Sequence, residues 1–417
     1  MKKTLLTTAW ILFYFCSHAQ VTLDQCQEKG KANYPLIKQY DLISKSTDYT
    51  ISNANKAYLP QVSVTAIGGY ILSELPSFSM PGTPPKEEEK VKFIGIAQIN
   101  QVIWDGGATQ TQKNIAKAKA EVDKANIDVS FYNIRERVNQ VYFGILMIDE
   151  QLNQLAILKE TLDRNLNNIK LTKDNGLAYQ SDVDEVKSEL KIVEQKKIEF
   201  KYTRKGYVDM LSWLTGEQLN ENLMLEKPVA AEPVSSLAVN RAELKLFANQ
   251  IKLINANSSI NKVYNMPKIG ILGAGVLIEP GISLGNTTLS SLAIAGISLS
   301  WNTSGIYKTS KNSELDKIQS EMISNQQEAF LFGNNLQLKQ VSSEIEKQKE
   351  IMKNDNEIVA LKNSIKKSYQ LKYDNGMCSM NDLINSINKE NEARCNMAMH
   401  NLQFLMSIYN YKTISGN

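Results

Sequence analysis

Two seven-residue stretches decide the reading: Leu171-Thr172-Lys173-Asp174-Asn175-Gly176-Leu177 and Leu371-Lys372-Tyr373-Asp374-Asn375-Gly376-Met377. They align at an offset of 200 residues, and the match runs on through Asp182 and Asp382 to Val183 and Leu383. Each is flanked by long proline-free stretches. An Asn-Gly pair at such a place ends one helix, because glycine takes up the left-handed conformation without a Cβ clash. The spacing predicts two helical hairpins with tips at Gly176 and Gly376. Ser181 and Asn381 are the expected N-caps of the returning helices.

Upstream of each tip the chain carries the same grammar. Residues 108–173 contain no proline and, among them, Val141, Ile145, Ile148, Leu152, Leu155, Leu158, Leu162, Leu166 and Ile169 step by three and four, the pattern of a coiled-coil seam. At 1.5 Å per residue such a helix is roughly 100 Å long. Helices are expected at 108–173 and 181–215, and again at 305–373 and 381–411. Before each long helix lie two segments of alternating polarity, 61–73 with 91–104 and 267–279 with 289–301. Val62, Val64 and Ala66 alternate with Ser63 and Thr65, and Ile297, Leu299 and Trp301 alternate with Ser298 and Ser300, the period of a two-faced strand. The joining loops are rich in Pro and Gly, at Pro76 to Pro85 and Glu279-Pro280-Gly281, with a solvated charge run from Lys86 to Lys90. Helices at 22–58 and 238–264 precede the strand pairs, each ending near a proline. Asn55-Lys56-Ala57-Tyr58-Leu59-Pro60 echoes Asn261 to Pro267, and Trp104-Asp105-Gly106 echoes Trp301-Asn302 with Gly305. Landmarks in the same order at similar spacing indicate an internal duplication: 20–215 as the first repeat, 216–237 as a linker, 238–417 as the second repeat.

The first 19 residues read as an export signal, with Lys2 and Lys3 before the apolar run Leu5 to Phe15, and small residues at Ser17 and Ala19. Phe15 before Cys16 argues against a lipoprotein site. Cleavage lowers the formal net charge from +3 to +1, which is no nucleic-acid footprint. It leaves one histidine, His400, and three cysteines. Cys378 and Cys395, on one expected helix, stand roughly 25 Å apart, far beyond disulfide reach. A catalytic triad, a His-based metal site and a cofactor site are not expected; His400 and Cys395 read as packing residues. Past residue 20 no apolar run suits a transmembrane helix, so membrane insertion would require a barrel. Four strands cannot close one, since membrane barrels need at least about eight. Copies of the chain would have to pool their strands. Trp104 and Trp301, at strand ends, suit a membrane interface.

Along essentially its whole mature length the chain resembles the TolC-type outer-membrane efflux proteins. The resemblance rests on Val21-Thr22-Leu23-Asp24 with Asn33-Tyr34-Pro35, on Ala57-Tyr58-Leu59-Pro60-Gln61-Val62, on Gln101-Val102-Ile103-Trp104-Asp105-Gly106-Gly107, and on Gly176 with Asp182-Val183 and Gly376 with Asp382-Leu383. It implies an α+β membrane protein: a homotrimer whose four strands per chain form a 12-stranded β-barrel in outer-membrane lipid, continued by a long α-helical barrel in the periplasm. It implies a periplasmic adaptor protein and an inner-membrane pump as partners, and no enzymatic activity. The tips Asn175, Gly176, Leu177, Asn375, Gly376 and Met377 would contact the adaptor. Asp182, Tyr373 and Asp382 would lie at the periplasmic aperture. Asn385 stands where the family can carry a second acid, and Met377 where leucine is commoner. A secreted coiled-coil scaffold without a pore is the rival reading, and it leaves the matched strand pairs unexplained. The cargo is open, although the lack of clustered Met and His counts against a metal relay.

Overall fold

The computed structural model describes residues 21–70, 72, 91–229, 238–279 and 290–417. The expected signal segment, the charge run from Lys86 to Lys90, most of both strand-joining loops and the end of the linker fall outside them. The order of elements is α1 (Leu23–Asn33), α2 (Gln39–Asn55), β1 (Gln61–Tyr70), β2 (Val91–Trp104), α3 (Ala108–Asp174), α4 (Gln180–Thr215), α5 (Ala242–Val263), β3 (Lys268–Glu279), β4 (Ser290–Ser300), α6 (Ile306–Asp374) and α7 (Met380–Ser415). The expected helix at 22–58 is broken. Pro35 cannot donate a backbone hydrogen bond, and a 3-10 turn at Pro35–Lys38 replaces the continuous helix, with a second at Lys56–Tyr58. Thr22 caps α1: its hydroxyl accepts from the Gln25 N–H at 3.3 Å. No helix among the described residues is long and apolar enough to cross a membrane.

The chain divides into two compact units, each drawing on both halves of the sequence. One contains residues 40–125 and 245–327, including all four strands. These form one antiparallel sheet in the order β1-β2-β3-β4. Tyr70 pairs with Val91, Phe93 with Glu279 and Ile278 with Ser290, so both strand-joining loops leave from the same end. At the opposite end β2 turns into α3 through Asp105. Its carboxylate accepts N–H bonds from Gly107 at 2.9 Å and Thr109 at 2.6 Å, and the Tyr58 O–H at 3.0 Å. Burial opposes the charge on Asp105, but these donors, Thr109 foremost, outweigh it and leave the carboxyl below its ordinary range. Gly106 has a φ of 71°, and a Cβ there would lie 2.6 Å from the Met266 Cβ. The Trp104-Asp105-Gly106-Gly107 motif is thus a strand-to-helix corner that needs its carboxylate and its first glycine.

The register separates the two faces of the sheet. One carries Val62, Val64, Phe93, Ala97, Ile99, Ile271, Leu277, Ile297 and Leu299, nearly all of it apolar and exposed. The other is polar near the helix junctions, with Gln61, Ser63, Gln98, Asn100, Ser298 and Ser300, and becomes apolar toward the loops. Trp104 ends β2 and Trp301 follows β4, and both are exposed.

The other unit contains residues 1–39, 126–244 and 328–417 and is built from helices. The predicted seam of α3 is its spine. Val141, Ile145, Ile148, Leu155, Leu158, Leu162 and Ile169 are buried, while Leu152 and Leu166 are half-buried. In one cluster Leu23 and Cys26 of α1 pack with Val138, Tyr142 and Phe143 of α3, Leu211 of α4 and Leu405 of α7. The described part of the linker is tied into this cluster. Val21 and Leu225 form a parallel bridge, and the buried Tyr142 hydroxyl lies 2.8 Å from the Val21 carbonyl and 2.6 Å from that of Glu226. On α6, by contrast, Phe332, Leu336, Ile358, Leu361 and Ile365 stay exposed. Cys26, Cys378 and Cys395 are free thiols, and for Cys378 with Cys395 this agrees with their spacing.

Candidate functional site at the hairpin tips

Both tips belong to the helical unit and have one geometry. Gly176 and Gly376 have φ of 75° and 70°. The Gly176 N–H donates to the Lys173 carbonyl at 2.8 Å and that of Leu177 to Thr172 at 3.0 Å. At the second tip Gly376 donates to Tyr373 at 2.9 Å and Met377 to Lys372 at 2.8 Å. This is the Schellman arrangement, in which the residue after the glycine usually packs on an apolar side chain one turn back. Here the positions one turn back are Leu171 with Thr172, and Leu371 with Lys372. Leu177 and Met377 nonetheless stand 80% and 69% exposed. Leu171, Tyr179 and Leu371 are exposed beside them.

The returning helices start one residue earlier than expected, and their caps lie two residues earlier, at Tyr179 and Ser379, not Ser181 and Asn381. The reason lies in Asp182 and Asp382, which reach back from the first turn. Asp182 accepts the Tyr179 N–H at 3.0 Å. Asp382 accepts the N–H of Ser379 at 3.1 Å and its hydroxyl at 2.7 Å, while the Ser379 hydroxyl accepts the Asp382 N–H at 3.1 Å. Only the second tip completes a capping box with side chains on both sides, since a phenol cannot reach as a serine does. The Ser379 hydroxyl, then its N–H, holds the Asp382 carboxyl below the usual range.

Beneath the tips lies a second apolar cluster. Leu162 and Ile169 of α3, Val183, Val186 and Leu190 of α4, and Met380, Leu383 and Ile387 of α7 are buried together, with Tyr369 and Tyr373 of α6 packed against them. Both hairpins thus share one core just behind their turns. Tyr373 is pushed up to about 12, first by burial and then by the nearby charges of Asp182 and Asp374. It is a neutral hydroxyl facing acids from both tips.

Three polar pairings in this unit carry no obvious sequence signal. Glu390 on α7 is buried and bonds Lys366 of α6 at 3.3 Å and Arg394 one turn on. Arg204 of α4 holds Asp149 of α3 at 2.5 Å and caps the linker carbonyls of Glu221 and Leu223. His400, expected as mere packing, lies 3.0 Å from the buried Asp355 carboxylate. Each joins residues distant in sequence, and only the i,i+4 spacing of Glu390 and Arg394 could have suggested a contact. Among the described residues no cluster of His, Cys, Asp and Glu could hold a metal ion.

No protein-family profile and no curated protein matches the sequence. Solved structures do match the fold. The outer-membrane channel OprN superposes with a TM-score of 0.68 at 12% identity, over 94% of this chain and 89% of its own. The outer membrane protein VceC from Vibrio cholerae gives 0.65 at 11%, over 94% and 96%. The Campylobacter jejuni CmeC outer membrane channel gives 0.65 at 13%, over 94% and 85%. The chain therefore has, as a single subunit with mostly helices and a four-stranded antiparallel sheet, the fold of the TolC-type outer-membrane efflux channels.

Proposed function

We propose that this chain is one subunit of an outer-membrane channel that passes solutes from a periplasmic adaptor and an inner-membrane pump to the exterior. The open sheet carries the reading. Among the described residues β1 and β4 each pair on one side only, leaving roughly twenty backbone N–H and C=O groups at two free edges. In lipid each unpaired group costs several kcal/mol, so the edges must pair with other copies. The strands are 10, 14, 12 and 11 residues long, enough to cross the hydrocarbon layer at a tilt. Three copies would pool them into the 12-stranded barrel of the implied homotrimer. The exposed apolar row on α6 would then be covered by neighbouring helices, and the helices would line a periplasmic tunnel. The repeated order of helix, strand pair and hairpin is read as a duplication with halves at 20–215 and 238–417, joined by the linker 216–237. The protein would act as a conduit and catalyse nothing.

In this reading the adaptor docks on the tips. Leu177 and Met377 are the contact residues, presented by the turns of Asn175-Gly176 and Asn375-Gly376; an apolar side chain so exposed at the tip of each hairpin supports that role. Asp182, Tyr373 and Asp382 would border the aperture. The test is the oligomeric mass of detergent-extracted protein after membrane fractionation. A trimer from the outer membrane is the expected result. A folded, soluble monomer or dimer would favour a pore-free coiled-coil scaffold instead.

A further inference from the structure

The register of the sheet carries a feature that a water-filled exit does not require. On the face that begins with Gln61 and Asn100, successive rows of side chains can be read across the strands. Gln61, Asn100 and Leu272 share one row, and Ser63, Gln98 and Ala274 the next. The following row is Thr65, Ile96, Val276 and Leu292, and the next toward the loops holds Ile67, Ile94 and Ile278 with Ser290 at its register position on β4. Two adjacent rows are thus apolar apart from Thr65 and, on the edge strand, Ser290. One row further out on the same face stands Lys92, half-buried. On β2 and β3 this face is the more shielded. Ile94, Ile96, Val276 and Ile278 are half-buried, whereas Phe93, Ala97, Ile99 and Leu277 on the opposite face are exposed. That asymmetry fits a sheet curving toward the face in question, which makes it the inner one.

Resting on the channel reading above, we propose that Ile67, Ile94, Ile96, Val276, Ile278 and Leu292, with Lys92 beyond them, form a binding collar for amphiphilic anions inside the outer half of the barrel. Polar side chains below the collar leave a solute hydrated. At the collar an apolar body gains by covering the aliphatic rows, at roughly 25 cal/mol per Å² removed from water, while its anionic group meets the Lys92 ammonium. Hydrated inorganic ions gain nothing there. The collar thus selects for organic solutes with an apolar body and a negative charge.

Three neighbours on β2 test this in the full-length protein in nanodiscs, with Cys26→Ala, Cys378→Ser and Cys395→Ser as background. Ile96→Cys lies in the collar, Gln98→Cys roughly 7 Å below it on the same face, and Ala97→Cys on the opposite face. A neutral water-soluble maleimide is expected to label positions 96 and 98 and to spare 97. The anionic dye 1-anilinonaphthalene-8-sulfonate should slow labelling at 96 by about fivefold or more, and at 98 by less than about twofold. Adding Lys92→Gln should remove most of that protection. If 97 labels as fast as 98, the sheet is not a barrel wall, and the channel reading falls together with the collar. If 97 is spared but the dye protects 96 no more than 98, or protects equally with Lys92→Gln, the collar proposal is overturned and the channel stands.

Discussion

Leu383→Ala is the substitution that best tests whether one core holds both hairpin tips. Leu383 is fully buried in the cluster shared by α3, α4 and α7, directly after the capping carboxylate Asp382. Removing the carbons beyond Cβ forfeits about 2.4 kcal/mol of transfer free energy at ~0.8 kcal/mol per carbon. The unfilled cavity brings the total to roughly 3–5 kcal/mol. Each ~1.4 kcal/mol is tenfold in an opening equilibrium, so amide exchange across residues 380–390 should quicken by roughly two to three and a half powers of ten. Hydrogen exchange read by mass spectrometry measures this directly. Leu177→Ala is the paired control. Its side chain is 80% exposed, so exchange should shift by no more than the ~0.5 kcal/mol typical of a surface change, while cross-linking of the tip to an adaptor is lost. Acceleration by Leu383→Ala of less than about tenfold would refute the shared core. Retained cross-linking in Leu177→Ala would refute the docking role.

Asp382→Asn removes the charged partner of Ser379. The carboxyl is held below its ordinary value, so its stabilisation is complete above the unfolded pKa of about 3.9 and is lost as pH falls through the lower folded value. Heat-denaturation midpoints of variant and parent should differ at pH 7 and converge in acid. Tyr142→Phe deletes the hydroxyl between the Val21 and Glu226 carbonyls and should cost about 1–2 kcal/mol, seen as faster exchange at residues 21–26. Arg204→Lys keeps the charge but loses the fork that holds Asp149 and two linker carbonyls. A loss of about 1–3 kcal/mol should make the linker near residues 221–225 more sensitive to protease.

The sequence by itself determined the elements. Period-2 and period-3.6 patterns depend on neighbours within one segment, so β2 was legible to the residue, the two long helices to within one residue at each end, and the tip glycines at their positions. The caps were misplaced by two residues because Ser181 and Asn381 look like good caps, whereas carboxylates three residues on choose Tyr179 and Ser379. Pro35 stood in plain view, but whether a proline ends a helix or is bridged by a short 3-10 turn depends on what packs on either side. Only the tertiary structure decided which residues meet across the chain. It set the cross-strand register that lays the aliphatic rows side by side. It placed Leu162, Val183 and Leu383 in one core, and gave Glu390, Arg204 and Asp355 their partners. These contacts join segments from tens to hundreds of residues apart, and no local period encodes them.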